Sequence, residues 1–209
     1  MIDEHQLEAF AAAFTALGAL HRQPADEETL DAVRSMVREW PLAPVGPTAA
    51  GITDLRTSAA SGETARDVRR DHDRLYGDSA AAIVAPYESV HRGVEGLVFD
   101  EQTLEVRAAY RELGLRAPKL NREPDDHVGL EFEFLSRTCL EVLDARDAGE
   151  DERAERAEDL GRRFFVEHIA TWVPDLLERV AAEARTAFMR GVAELSRGAV
   201  EQYSASIGA

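Results

Sequence analysis

The chain has 209 residues, of which 44% are hydrophobic, and this composition is typical of a folded protein rather than a disordered one. Its 40 acidic residues outnumber its 24 basic residues, and the net charge of −16 argues against binding to the phosphate backbone of a nucleic acid. The acid is spread along the whole chain, which favours an acidic coat adapted to a high-salt cytoplasm over a surface for one basic partner, although both explanations stay open.

Apolar residues recur every three or four positions along most of the chain, which predicts an all-α bundle of seven or more helices. In the N-terminal half, Asp26 and Asp100 are predicted to cap helix starts, while Gly77 and Gly114 mark helix ends. The prolines within 41–47 predict a loop, and 78–98 has no stable period and is predicted to be a long connection. The stripes of these helices carry Leu7, Phe10, Phe14, Leu17, Leu30, Val33, Val37, Trp40, Ala65, Val68, His72, Leu75, Tyr76, Val106, Tyr110 and Leu113.

In the C-terminal half, the stretch "EFEF" at 131–134 alternates as a strand would, but a longer window favours a helix. Its apolar positions step by four and three residues: Val128, Phe132, Leu135, Cys139 and Val142. Pro124 suits the first turn of that helix, where the dipole also favours Asp125 and Asp126. An acidic loop is predicted at 144–153, then a helix closed by Pro174, then a last helix over about 176–200. Glu131 and Glu133 are expected to face solvent or to pair along the helix. The aromatic side chains expected in the core are Phe132, Phe134, Phe164, Phe165 and Trp172.

The length allows one domain, and we predict a single all-helical unit over 1–209 with two lobes sharing a core. The N-terminal lobe would cover about 1–115 and the C-terminal lobe about 127–209, with a joint at 116–126. Such a joint permits either a monomer or a domain-swapped homodimer.

The single cysteine, Cys139, excludes a disulfide within the chain and a cysteine-based zinc cluster. The first residues, "MIDEHQLEAF", are acidic where a secretory signal needs a basic start. No apolar run approaches the ~20 residues that span a bilayer. We therefore expect a soluble, cytoplasmic protein.

Two kinds of chemistry are compatible with the acidic and histidine residues. A helical di-iron centre needs two Glu-x-x-His pairs, and the sequence has one, Glu88 and His91. Asp126 and His127 could form an acid–base dyad, but adjacent helical residues do not face each other, and no nucleophile motif or phosphate loop accompanies them. The alternatives for this pair are a charged helix start with a surface histidine, or contact with a ligand.

Four stretches in order resemble the TorD/DmsD family of cytoplasmic chaperones for molybdenum-containing redox enzymes. They are "DHDRLYGD" (71–78), "APYESVH" (85–91), "EPDDHVGLEFEFLS" (123–136) and "FFVEHIATWVPDL" (164–176). The resemblance covers about 60–200 and implies an all-helical chaperone, with no catalysed reaction and no cofactor of its own. It also implies a partner, the twin-arginine signal peptide of an apo-reductase. The chaperone would hold this peptide until the molybdopterin cofactor is inserted into the reductase.

Family motif positions that contact the peptide fall on Leu75 and Tyr76, on Pro86 and Tyr87, and on Asp126 and His127. His72 replaces an aromatic residue of the family motif, and an extra acid, Asp125 or Asp126, enters the Pro-Asp-His motif. A receptor for two arginines and an apolar segment needs carboxylates and an apolar groove. Asp126 and Glu123 are expected to supply the former, and Leu75, Tyr76, Pro86 and Tyr87 the latter, although Leu75 and Tyr76 fit a helix-end core equally well.

Overall fold

Ten α-helices make up the computed structural model within the residues that it describes, which are 2–77, 82–119 and 122–209. In chain order they are α1 (Glu4–Arg22), α2 (Glu27–Met36), α3 (Gly46–Ser61), α4 (Ala65–Tyr76), α5 (Glu88–Arg92), α6 (Glu101–Glu112), α7 (Val128–Asp147), α8 (Asp151–Phe164), α9 (Val173–Glu183) and α10 (Ala187–Ile207). A 3₁₀ turn follows α2 over Val37–Glu39, and a π-helical turn follows α8 over Phe165–Ile169. The predicted all-α class is confirmed.

Local sequence signals place several helix ends as predicted. The side chain of Asp26 accepts from the amide of Thr29, and that of Asp100 accepts from the amide of Glu101. Gly114 follows α6 with φ 67°. Two helices were not predicted. α3 begins inside the proline-rich stretch, because Pro47 occupies its first turn, where a missing N–H does no harm. The short α5 lies within 78–98, of which 78–81 is outside the described residues.

The C-terminal boundaries differ from the prediction in three places. α7 begins at Val128, and the side chain of His127 caps it by accepting from the amide of Gly129. Pro124, Asp125 and Asp126 therefore precede the helix instead of forming its first turn. The predicted acidic loop shrinks to 148–150, and the predicted last helix divides into α9 and α10, with Pro174 in the first turn of α9.

The helices pack around one continuous core to which both halves of the chain contribute. α1 packs chiefly against α7, and α10 against α3. Because Gly18 and Gly129 face each other, α1 and α7 approach so closely that a Cβ on Gly129 would lie 2.5 Å from the carbonyl oxygen of Gly18. The five aromatic residues predicted for the core, Phe132, Phe134, Phe164, Phe165 and Trp172, are all buried.

The division into two lobes stays a prediction, because these contacts would be the same within one chain or between exchanged chains. Within the predicted joint, Leu120 and Asn121 lie outside the described residues. None of the helices in the described ranges is long and apolar enough to cross a membrane.

Candidate functional site

A cavity of about 480 Å³ opens beside the end of α4 and the start of α7. Six of the nine side chains predicted to contact a peptide line it: His72, Tyr76, Pro86, Tyr87, Glu123 and His127. Leu75, Asp125 and Asp126 do not line it. The remaining lining residues were not predicted as contacts; they are Arg22, Gln23, Pro24, Asp73, Gly77, Ala117, Pro118, Lys119, Pro124 and Leu130.

Backbone hydrogen bonds bring the three motif stretches to this cavity. The amide of Val84 donates to the carbonyl of Leu75 at 2.9 Å and so ties the following segment to the end of α4. Tyr87 and His127 then form an isolated antiparallel bridge, in which the amide of Val128 donates to the carbonyl of Pro86 at 2.9 Å. The rings of Tyr87 and His127 meet edge to face, with centroids 5.3 Å apart. Two distant stretches thus form one wall.

Tyr76 is held by a buried chain of hydrogen bonds that joins α4, α1 and α10. The hydroxyl of Ser196 donates to the carbonyl of Val192 at 2.8 Å, so its oxygen accepts from Nε2–H of His21, also at 2.8 Å. The Nδ1 atom of His21 is therefore an acceptor for the hydroxyl of Tyr76, at 2.8 Å. Every polar side-chain atom in this series of hydrogen bonds has a partner, so the ring of Tyr76 is held in one position at the cavity.

The histidines of the site are neutral. Burial, followed by the charge of His72, lowers the pKa of His21 to about 3. Burial, and then neighbouring His21, lowers the pKa of His127 to about 3, and its Nδ1 accepts from the amide of Gly129 at 3.0 Å. Burial also lowers the pKa of His72, whose Nε2 lies 3.3 Å from the carbonyl oxygen of His21. His127 is therefore uncharged, and its side chain is half-buried. The sequence had instead allowed a surface histidine or a member of a dyad.

Asp126 is fully buried, and its side chain holds neighbouring helices together. It accepts from the amide of Ser89 at 2.7 Å and from the hydroxyl of Thr103 at 2.6 Å, and its carbonyl accepts from the amide of Glu88 at 3.0 Å. The hydrogen bonds of this carboxylate therefore go to α5 and α6. The sequence predicts that Asp126 meets an incoming arginine; in the structure its carboxylate is buried and bonded to other parts of the chain.

Asp125 has a similar internal partner. Its carboxylate receives two hydrogen bonds from the guanidinium of Arg107, at 2.9 and 3.0 Å, and its backbone carbonyl accepts from the hydroxyl of Tyr110. Only 1% of Asp125 is exposed. Leu75 is also fully buried in the core. Direct contact between a ligand and these side chains would require the surrounding structure to open.

The exposed charges of the cavity are two acids and two bases. Glu123 pairs with Lys119, and Arg22 pairs with Glu133 at 2.8 Å. Asp73 has 62% of its side chain exposed. Asp73 was not predicted as a contact, although its spacing of three residues from Tyr76 places both on one face of α4.

Glu88 and His91, the pair considered for a di-iron centre, do not converge on a common point. Glu88 is buried, accepts from Nδ1 of His168 at 2.9 Å and pairs with Arg92. The Nε2 atom of His91 lies 2.7 Å from the carbonyl oxygen of Ala85. Among the described residues no group of three or more His, Cys, Asp or Glu side chains is arranged to hold a metal ion. The di-iron alternative is therefore not favoured.

Glu131 was expected to face solvent or to pair along the helix, but it is fully buried. The indole N–H of Trp172 donates to its carboxyl group at 3.2 Å. Burial, and then the nearby charge of Glu88, raises the pKa of Glu131 well above its usual range.

Comparison with known proteins finds relatives that are named as chaperones. Residues 44–178 match the family described as nitrate reductase delta subunit. The chaperone protein YcdY of Escherichia coli is 30% identical over 185 residues, which are 88% of each chain. The chlorate reductase assembly chaperone protein of Ideonella dechloratans is 30% identical over 110 residues, or 53% of each chain. The chaperone protein TorD of Vibrio parahaemolyticus is 24% identical over 110 residues, which are 53% of this chain and 50% of that protein.

The aligned region thus spans about half the length of the last two relatives. The family match, in contrast, extends over more than half of this chain. The chain belongs to the nitrate reductase delta subunit family, whose members are TorD-like, and the resemblance seen in the motifs is confirmed.

Proposed function

We propose that this chain is a system-specific chaperone that binds the twin-arginine signal peptide of a molybdopterin oxidoreductase subunit and assists cofactor insertion in the cytoplasm before export. The observation that carries the proposal is the wall made by Tyr87 and His127, which faces the same cavity as His72 and Tyr76 on α4. The relatives named as chaperones support the class of protein, and the chlorate reductase assembly chaperone supports the link to reductase assembly. The protein would act by binding and release, without catalysing a reaction.

The cavity suits the chemistry of such a peptide on its apolar side. Tyr76, Pro86, Tyr87 and Leu130 offer aromatic and aliphatic surface next to neutral histidines. Burying ~400 Å² of apolar peptide surface, in the cavity and on the protein surface around it, gives roughly 10 kcal/mol at ~25 cal/mol per Å². Ordering a flexible peptide offsets several of these. Affinity near micromolar, about −8 kcal/mol, is therefore expected, and it suits a chaperone that must release its client.

For the arginine pair, we propose Glu123 and Asp73 as the receiving carboxylates. Both line the cavity with exposed side chains, whereas Asp125 and Asp126 are buried with internal partners. Glu123 pairs with Lys119 in the free protein. An arginine of the peptide would take the place of Lys119. Its planar guanidinium group can donate two hydrogen bonds to one carboxylate. This exchange leaves no carboxylate without a partner.

Calorimetric titration tests the proposal, with a synthetic leader peptide that carries two adjacent arginines followed by an apolar segment. We expect micromolar binding that weakens at least about tenfold when both arginines are replaced by alanine. Tyr87→Ala should weaken binding by a similar factor. Leu140→Ala serves as the control, because Leu140 is partly exposed on α7 and lines none of the described cavities. Absence of binding to the wild-type protein, or equal effects of Tyr87→Ala and Leu140→Ala, would overturn the proposed site.

The oligomeric state belongs to the same proposal. We expect a monomer or a domain-swapped homodimer, because the joint at 116–126 connects halves that share one core. Light scattering at several concentrations, before and after refolding, would reveal slowly exchanging dimers.

A further inference from the structure

A group of exposed apolar side chains lies between α5 and the first turns of α6, outside the cavity. We call it the α5–α6 patch, and it consists of Val94, Leu97, Val98, Phe99 and Leu104. Val94 is fully exposed, Leu97 and Leu104 are 57% and 60% exposed, and Val98 and Phe99 are a little under half exposed. Scattered single apolar residues on a surface are ordinary, but a cluster of five within eleven positions marks an interaction surface.

The backbone holds part of this patch in an unfavourable conformation. Phe99 has φ 65° and is the one non-glycine residue with positive φ among those described. For a bulky residue the left-handed region costs on the order of 1–2 kcal/mol. Phe99 and Leu104 have the spacing of a hydrophobic staple around the cap Asp100. A staple does not account for Val94, Leu97 and Val98, or for the exposure that Phe99 and Leu104 retain.

The size of the cavity indicates what could cover the patch. A cavity of about 480 Å³ is at the small end of sites that hold drug-sized ligands, and it accommodates only a few residues. The apolar segment of an export signal has about 7–15 residues. Once the arginines and the next residues occupy the cavity, most of that segment needs a second apolar surface.

The patch is close enough to serve as that surface. α5, with its five residues, separates Tyr87 in the cavity wall from the loop that carries the patch, and a helix of that length spans about 8 Å. An extended segment of 7–15 residues reaches about 23–50 Å. The geometry is also fixed, because the side chain of Asp126 binds Ser89 on α5 and Thr103 on α6, beside cavity residue His127.

The charges near the patch favour a peptide over a second copy of this chain as its binding partner. Exposed Glu95, Glu101 and Glu105 surround the patch. Two copies that met through this surface would bring like charges together, whereas a peptide that carries an arginine pair is attracted to this acidic side of the molecule even though the arginines themselves enter the cavity.

We propose that the α5–α6 patch binds the apolar segment of the signal peptide whose arginine pair enters the cavity. This inference rests on the proposed function. It adds a second contact surface, so that the length and hydrophobicity of the segment after the arginines select the client.

The test uses two peptides and two double variants of the full chain. One peptide is the complete leader described above, and the other ends just after the arginine pair and the residues that fit the cavity. Leu97→Ser with Val98→Ser alters the patch, and Met36→Ser with Leu140→Ser is the matched control, because those side chains are 39% and 37% exposed elsewhere. The patch variant should bind the complete leader at least about tenfold more weakly than wild type, while the short peptide binds both equally. The control variant should bind both peptides like wild type.

Three results would overturn the inference. The patch variant could bind the complete leader as tightly as wild type does, or it could lose affinity for both peptides by the same factor. Sedimentation could also show that wild type dimerises and that the patch variant is monomeric, which would assign the patch to self-association. Failure of the proposed function gives a different result, because wild type would then bind neither peptide.

Discussion

The carboxylate of Asp126 accepts a hydrogen bond of 2.7 Å from the backbone amide of Ser89, while the next residue, His127, lines the cavity beside α4 and α7. A second hydrogen bond, from the hydroxyl of Thr103, ties α6 to the same buried group. Asp126 therefore sets the position of the cavity wall relative to α5 and α6. Its importance to binding would be indirect, because it has no exposed surface for a ligand.

Replacing Asp126 by alanine should lower the free energy of unfolding by about 2–4 kcal/mol, because a buried amide and a buried hydroxyl lose a charged acceptor. Urea unfolding measures this loss. Leader-peptide affinity should fall as well, because Tyr87 and His127 lose their fixed relation. Glu123→Ala is the control, since Glu123 is exposed and its removal should change stability by no more than about 0.5 kcal/mol. Unchanged stability of Asp126→Ala with lost peptide binding would return Asp126 to a direct contact.

The burial of Asp126 could not be predicted from the sequence, whereas several helix ends could. Helix ends follow local rules, so Asp26 and Asp100 could be recognised as caps from their own neighbourhoods. The buried carboxylate of Asp126 is bonded to Thr103, and that of Asp125 to Arg107. Both partners lie on α6, distant in sequence. Neither pairing leaves a signal in the spacing of nearby residues.

The cavity itself was partly predictable. Six of the nine residues indicated by the family resemblance line one cavity. Asp73 was not predicted, although it lies within the stretch 71–78, because it is not one of the positions that define the family motif. The helix α3 was missed for a local reason, since Pro47 in a first turn resembles a loop proline until the following residues are seen to be helical.

The contact between α1 and α7 should be sensitive to one added methyl group. A Cβ on Gly129 would lie 2.5 Å from both the carbonyl oxygen of Gly18 and Cγ of Arg22, so Gly129→Ala must push the helices apart. We expect a loss of about 1–3 kcal/mol in the free energy of unfolding. Gly18→Ala should show a similar loss, because it affects the same contact. Thermal unfolding of both single variants and the double variant measures the effect. Strictly additive losses in the double variant would contradict a shared contact.

Acid should destabilise the protein through His21. In the unfolded chain histidine has a pKa near 6.5, whereas burial lowers the pKa of His21 to about 3. Below pH ~6.5 the unfolded state therefore binds a proton that the folded state does not, and this stability is lost at about 1.4 kcal/mol per pH unit. Glu131, whose pKa is raised, contributes in the opposite direction because its folded form keeps a proton that the unfolded form releases.

A variant that does not titrate isolates this contribution. His21→Gln can still accept from Tyr76 and donate to Ser196, so the buried chain of hydrogen bonds can persist. Urea unfolding between about pH 7 and 5 should give a steeper acid loss for wild type than for His21→Gln. Glu131 acts equally in both proteins and cancels in the comparison, whereas removal of His21, which lowers the pKa of His127, reduces the acid loss of the variant further. Identical slopes would show that His21 is already protonated in the folded state.

The balance between apolar and charged contacts in peptide binding can be measured with salt. At ~1 M potassium chloride the Debye length is about 3 Å, so attraction between exposed carboxylates and arginines is largely screened. Burial of apolar surface is not screened. Because the cavity combines exposed Glu123 and Asp73 with Tyr76, Pro86 and Tyr87, the two contributions separate with ionic strength.

We expect the apolar contribution to dominate, so Tyr87→Ala should weaken leader binding by about 10- to 100-fold at both low and molar salt, as expected for loss of a buried aromatic side chain. Glu123→Gln should weaken it by no more than about fivefold at low salt and hardly at all at ~1 M, because an exposed ion pair contributes about 0.2–1 kcal/mol. Calorimetric titration of both variants at the two salt concentrations provides the comparison. A reversed ranking, with wild-type affinity falling steeply as salt rises, would make acid–arginine attraction the main contribution. Unchanged affinity in both variants would mean that the peptide binds outside this cavity.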